Sequence, residues 1–197
     1  ANIRWTGGAF SSPNLATGVV LTNQATGVID FQTDGAAFIL GTSSTATLTN
    51  QGTIRKTIGT FNPTTVAWPV TNSGAIEAQV GTLNFTGNVT NTGTITVSTS
   101  ATLGGTTTTN SGGIVRGTGT LSSLATINNG GRIAPGSAST VGTLTTANTT
   151  ITSGGIYTWK IQNAGPNGTY ASVVNTGVSS TGTGLQDLLA VNGNINW

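Results

Sequence analysis

The sequence predicts an all-β fold, a right-handed parallel β-helix with three short strands per coil of 19–22 residues. Three observations carry that prediction. Helix formers never gather at a period of 3.6, while Gly, Thr, Asn and Ser are dense throughout. Short alternating runs with β-branched residues dominate instead, such as Thr92-Gly93-Thr94-Ile95-Thr96-Val97 and Ile156-Tyr157-Thr158-Trp159-Lys160-Ile161. The third is an internal repeat, Asn-x-Gly-x-Ile, whose copies pair Asn50 with Gly52, Asn72 with Gly74, Asn91 with Gly93, Asn110 with Gly112 and Asn129 with Gly131. The glycines are spaced by 22, 19, 19 and 19 residues, and looser copies stand at Thr26–Ile29 and Ser153–Ile156.

Each repeat supplies three strands in order. The first follows the anchor glycine and carries an inward aliphatic residue at Ile54, Ile76, Ile95, Ile114 and Ile133. The second is a Gly-Thr-Leu-like segment at Gly59-Thr60-Phe61, Gly81-Thr82-Leu83, Ala101-Thr102-Leu103, Gly119-Thr120-Leu121 and Gly142-Thr143-Leu144. The third precedes the next anchor, as in Leu48-Thr49-Asn50 and Val89-Thr90-Asn91. Stacked with about 4.8 Å between strands, roughly nine coils would span about 45 Å. The asparagines are expected to bond from coil to coil as an amide ladder at a corner. The glycines are expected to supply the positive φ of a sharp turn. A hairpin meander with Asn-Gly turns is the competing fold, and the fixed period favours parallel stacking.

The chain reads as a single domain over 1–197. Residues 1–25 hold Trp5, Phe10 and Pro13 without a clean repeat, and read as an irregular first coil or cap. Residues 162–184 read as an insertion loop, and 185–197 as a last coil.

Composition restricts the function. Only 5% of residues are charged, against roughly 25% in an ordinary domain. Cysteine, methionine and histidine are absent, which removes disulfides, thiol nucleophiles, Ser-His-Asp triads and the usual zinc sites. Six dispersed cations do not make a nucleic-acid footprint, and no apolar run reaches the length of a membrane span. No signal peptide is present; a chain that starts at Ala1 and lacks Met reads as a processed mature chain or an excised fragment.

The run Gly130-Gly131-Arg132-Ile133-Ala134-Pro135-Gly136 resembles the GG-x-[IL]-x-PG signature of bacterial autotransporter-associated repeats. A Gly-Thr-Leu strand at 142–144, a Gly-x-Tyr-x-Trp-like strand at 155–161 and an Asp-x-Leu-x-Val-x-Gly-like coil at 187–193 follow in the same order. The resemblance covers roughly residues 45–197 and is most specific over 130–193. It implies a secreted or cell-surface bacterial β-solenoid that serves in adhesion or as a structural stalk. The chain departs from that pattern in having no outer-membrane barrel or sorting helix.

Candidate chemistry is sparse. Asp30 and Asp34 are the one close acidic pair, and on a strand they would share a face and could meet a cation or a sugar; solvated residues flanking a turn are the plainer reading. Glu77 is the other acid available to complete a glycosidase pair with Asp30 or Asp34, and nothing in the pattern supports one. Arg55 and Glu77 fall one coil apart and are expected to form an outward ion pair worth a fraction of a kcal/mol. Outward Thr60, Thr82, Thr102, Thr120 and Thr143 raise ice binding, but the positions two residues on are not regular. Trp68, between Pro63 and Pro69, is a candidate glycan contact on a protruding loop, or else a plug over a corner. No cofactor or metal is expected.

A solenoid also has two open ends. Ile3 and Trp5 near one end, and Ile195 and Trp197 at the other, place Ile and Trp on one face of a terminal strand. With little charge to repel a neighbour, these ends are expected to associate end to end, or to fold over as caps. The expected function is therefore non-enzymatic: a secreted, extracellular bacterial surface protein forming a filament or adhesive stalk, with its own copies or surface glycans as partners. A carbohydrate-binding or carbohydrate-cleaving β-helix and an ice-binding solenoid are the alternatives.

Overall fold

A computed structural model describes residues 2–12, 18–40, 46–160 and 188–196. It is a β-solenoid of three parallel sheets, each of eight strands. The first sheet runs Asn2–Trp5, Val28–Phe31, Thr53–Lys56, Ala75–Ala78, Thr94–Val97, Ile114–Gly117, Arg132–Pro135 and Ile156–Tyr157. The second runs Phe10–Ser12, Gly35–Leu40, Thr64–Val66, Thr82–Phe85, Thr102–Gly104, Thr120–Leu121, Thr143–Thr146 and Leu188–Val191. The third runs Val19–Asn23, Ala46–Asn50, Val70–Asn72, Val89–Asn91, Thr107–Thr109, Ala125–Ile127, Thr149–Ile151 and Ile195–Asn196. Every strand pairs with its counterpart one coil away, which is the stacking the repeat predicts.

Among the described residues eight coils form, against the roughly nine expected of the whole chain, in an axial stack of about 34 Å. The difference lies at the ends. Asn2–Trp5, Phe10–Ser12 and Val19–Asn23 contribute one strand to each sheet, so the described part of this segment is a first coil in the stack. The coil begun at Ile156–Tyr157 is completed by Leu188–Val191 and Ile195–Asn196, so 185–197 is not a separate turn. The expected insertion at 162–184 lies outside the described residues.

The core is a set of columns. Ile29, Ile54, Ile76, Ile95, Val115 and Ile133 stack down the first sheet, all buried. Val115 takes the place expected of Ile114, which is half-exposed. Leu83, Leu103 and Leu121 stack in the second sheet between buried Thr64 and Thr146. Two second strands are displaced from the expected motif. Leu83 pairs with Thr64, so Gly59-Thr60-Phe61 belongs to a corner. Leu121 pairs with Thr146, two residues beyond Leu144. Aromatic rings fill the wide upper coils: Phe38 sits 5.3 Å from both Trp5 and Trp68, and Phe10 lies 5.6 Å from Trp68.

The hydrogen bonds fix the anchor column. The carbonyls of Gly27, Gly52, Gly74, Gly93, Gly113 and Gly131 each accept from the residue that follows the glycine one coil on. Gly113, not Gly112, is therefore the fifth anchor. Gly52, Gly74, Gly93 and Gly131 do not have positive φ, contrary to expectation. Their requirement is space. A Cβ on Gly74 would overlap the Gly52 carbonyl, and one on Gly93 would overlap that of Gly74. Gly112 is the converse case, with φ of 84°, and the nearest atom a Cβ there would meet is the Thr92 carbonyl oxygen at 3.6 Å. Gly74→Ala is expected to cost about 3 kcal/mol, because backbone must move. Gly112→Ala should cost only about 1–2 kcal/mol, for its left-handed conformation. Equal costs in urea denaturation would count against the close-approach account.

Candidate functional site

Asp30, Asp34, Arg55, Lys56 and Glu77 gather on the upper coils around the strand Thr53–Lys56. Alternation from buried Ile54 turns Lys56 inward, and it is 0% exposed. In its column Phe31 stands above and Ala78 below, and the small alanine leaves room for the long stem. The ammonium donates to Asp34 Oδ1 at 2.8 Å, Thr64 Oγ1 at 2.8 Å, the Ile58 carbonyl at 3.0 Å and the Thr33 carbonyl at 3.1 Å. Those four acceptors surround three protons. Thr64 in turn donates to the Thr33 carbonyl at 2.6 Å.

Asp34 is the hub of the corner at 57–63. Its Oδ2 accepts from the backbone N–H groups of Phe61 at 3.0 Å and Asn62 at 3.2 Å. The Lys56 hydrogen bond holds the Asp34 carboxyl below the usual carboxylate range; partial burial opposes this, and the two backbone donors add to it. The corner thus pinned presents Phe61, which is 94% exposed.

Asp30 has its own set of partners. Burial alone would push its carboxyl up, but hydrogen bonds from Thr57, Arg55 and Gln32, with the Arg55 charge, bring it below the usual range. Arg55 Nη2 lies 2.9 Å from Asp30 Oδ2, and Thr57 Oγ1 2.7 Å from Oδ1. The structure therefore separates the expected acidic pair, giving Asp30 to Arg55 and Asp34 to Lys56. Arg55 is adjacent to Glu77 in register, as expected, yet it turns to Asp30. Glu77 accepts from Gln79 Nε2 at 2.7 Å instead. Both aspartates are held ionised, the opposite of the raised pKa that a general acid needs. Among the described residues no group of three or more His, Cys, Asp or Glu could hold a metal ion.

The amide ladder is real but shifted by a coil. Asn23 Nδ2 donates to Asn50 Oδ1 at 2.7 Å, Asn50 to Asn72 at 2.6 Å, and Asn72 to Asn91 at 2.7 Å. All four are buried. Below Asn91 the column continues through Thr109, Ile127 and Ile151. Asn110 and Asn129 lie outside it. Asn110 accepts from Asn128 at 2.8 Å in a separate outer pair, and Asn129 is exposed.

No family model, curated protein or solved structure matches this chain.

The surfaces therefore have to be read from geometry. Trp68 is 0% exposed, packed on Phe38 and Phe10, so its indole is not available to a sugar. On the second sheet Thr82, Thr102, Thr120 and Thr145 align, without Thr60 or Thr143. A longer column was missed. Thr22, Thr49, Thr71, Thr90, Thr108, Thr126 and Thr150 stand in register on the outer face of the third sheet. The signal was the Thr in each apolar-Thr-Asn strand, and Thr126 becomes its sixth member once the register is known. At the ends, Ile3 continues the Ile29 column and is exposed, whereas Trp5 packs against Phe31 and Phe38. Ile195 pairs with Thr149 and is exposed, and Trp197 lies outside the described residues.

Proposed function

We propose that the chain is a non-enzymatic structural β-solenoid, a stacking segment of a secreted bacterial surface filament or adhesive stalk. The observation that carries this reading is the form of the outermost coils. Ile3 and Ile195 occupy columns whose neighbouring members, Ile29 on one side and Thr149 on the other, are buried, yet both isoleucines are exposed. Among the described residues each end is a cross-section of the core at which the third sheet ends in a strand with one paired side, Val19–Asn23 above and Ile195–Asn196 below, a surface that a further coil would cover. The pairing of the ionisable side chains supports a load-carrying scaffold rather than a reaction site. The resemblance of 130–193 to autotransporter-associated repeats points to the same class and to the cell surface.

Imaging the native material by negative-stain electron microscopy tests the proposal. Rods or filaments in which each copy of these eight coils adds about 38 Å are expected. Monodisperse globular particles at every concentration would overturn it.

Ice binding is the second reading, favoured by the seven-threonine column on the third sheet. It ranks lower because the residues two positions on, such as Gln51, Ser73 and Asn110, do not form a second threonine rank. Thermal hysteresis measured on the chain decides it.

A further inference from the structure

We propose that the free edge of the strand Val19–Asn23 is a docking groove for an extended strand of the pattern apolar-x-Asn, added in parallel, whose side-chain amide donates to Asn23 Oδ1. The inference builds on the stacking proposed above and names the side chain that an adjoining coil must bring.

The argument starts from the polarity of the ladder. Asn50 and Asn72 each donate Nδ2 downward and accept at Oδ1 from above, Asn23 at the top only donates, and Asn91 at the bottom only accepts within the ladder. Asn23 uses its Nδ2 on Asn50 Oδ1, with the Thr53 carbonyl at 3.1 Å and the Gly27 carbonyl at 3.3 Å. Its Oδ1 accepts no hydrogen bond among the described residues, although Asn23 is only 8% exposed. The acceptor faces the cavity beside it rather than being sealed in the core, so a donor from above can reach it and would complete the column.

The donor has to be an amide. The lower end of the same column shows what a hydroxyl does there. Thr109 follows Asn91 in register, but Asn91 Nδ2 has only the Ile114 carbonyl at 3.4 Å, the counterpart of the Thr53 and Ala75 carbonyls that Asn23 and Asn50 reach in addition to the next amide, and Thr109 Oγ1 is left buried without a partner. Threonine is too short to continue the ladder. A carboxylate would set acceptor against acceptor at Asn23.

The surroundings specify the rest of the strand. A cavity of about 120 Å³ opens beside Asn23, walled by Ile3, Leu21 and Ile29 on its apolar side and by Gln24 on the other. The residues two before the ladder asparagines are Leu21, Leu48, Val70 and Val89. An apolar residue at that position of the incoming strand would meet the apolar wall. Among the described residues the backbone of Val19–Asn23 pairs with Ala46–Asn50 and with no other strand, which leaves its outer N–H and C=O groups for strand addition. The lower edge of this chain is a poorer match. Continuing the register, Ile195 falls in the column of Leu21 and Asn196 in that of Thr22, which puts the Asn196 amide in the outer column rather than over Asn23.

A synthetic peptide of residues 46–56, which contains the ladder strand and ends in Arg55 and Lys56, is the probe. Titrated into the full chain, it is expected to bind and to slow hydrogen exchange at residues 19–23. Peptides carrying Asn50→Leu or Asn50→Asp should bind at least about tenfold more weakly, as loss of one buried hydrogen bond implies. Failure of the parent peptide to protect 19–23, or equal binding by the Asn50→Leu peptide, would overturn the inference. Neither result depends on whether the native material forms rods, so the two proposals fail separately.

Discussion

Asp34→Ala is expected to destabilise the chain by about 3–5 kcal/mol, the cost of leaving a buried charge unpaired. Lys56 is wholly enclosed, and Asp34 is its carboxylate partner at 2.8 Å. Without Asp34 the ammonium keeps only the neutral oxygens of Thr64, Thr33 and Ile58. The reverse change should be milder. Lys56→Met fills the slot between Phe31 and Ala78, and Asp34, whose side chain is 17% exposed, can turn to water. Its cost is expected to be about half or less, since an apolar replacement also removes the buried charge. Urea denaturation at neutral pH compares the two, and an equal or larger loss in Lys56→Met would refute the assignment. The aspartates also set the response to acid. Both carboxyls are lowered in the folded chain, so their stabilisation is fully present above the unfolded carboxylate pKa near ~4. It is lost as the pH falls through the folded values. Asp34→Ala should therefore flatten the acid limb of the stability curve.

Asn72→Asp should be comparably damaging at neutral pH, about 3–5 kcal/mol. The new carboxylate could accept from Asn50, but it would face Asn91 Oδ1, which now accepts from Asn72 at 2.7 Å. Burial and that opposed acceptor both raise the pKa of the introduced carboxyl. Once protonated it can donate to Asn91, so part of the loss should return as the pH falls. Asn72→Leu removes the amide without adding charge and should cost about 2 kcal/mol, independent of pH. A calorimetric series across the acid range separates them. A pH-independent loss in Asn72→Asp would show that the ladder is not polar in the way described.

The period of the fold was legible because each coil repeats the same local choices. Ile54, Ile76, Ile95 and Ile133 read as inward and are buried. The register failed where the sequence offered two answers. Gly112 and Gly113 stand side by side, and the motif picks the first through Asn110 and Ile114, whereas the bond from Ile114 N–H to the Gly93 carbonyl selects the second. Thr60 looked like Thr82, but its segment is held in a corner by Asp34, a contact spanning 27 residues that no local pattern encodes. Asn23 was passed over because it stands four residues before Gly27, whereas the motif requires two. Lys56 could have been found by parity, since it lies two residues after inward Ile54. Its residue type argued for solvent, and only the Asp34–Thr64 environment makes the interior tolerable.

The change in the ladder column below Asn91 means that the coils are not interchangeable parts. Duplicating a coil between Asn23 and Asn91 would lengthen the molecule while the inserted amide found a donor above and an acceptor below. Moving the same coil beneath Ile127 would strand an amide among aliphatic side chains. Growth of such a molecule by recombination is therefore expected to proceed in the upper half, with the lower coils retained as a fixed base.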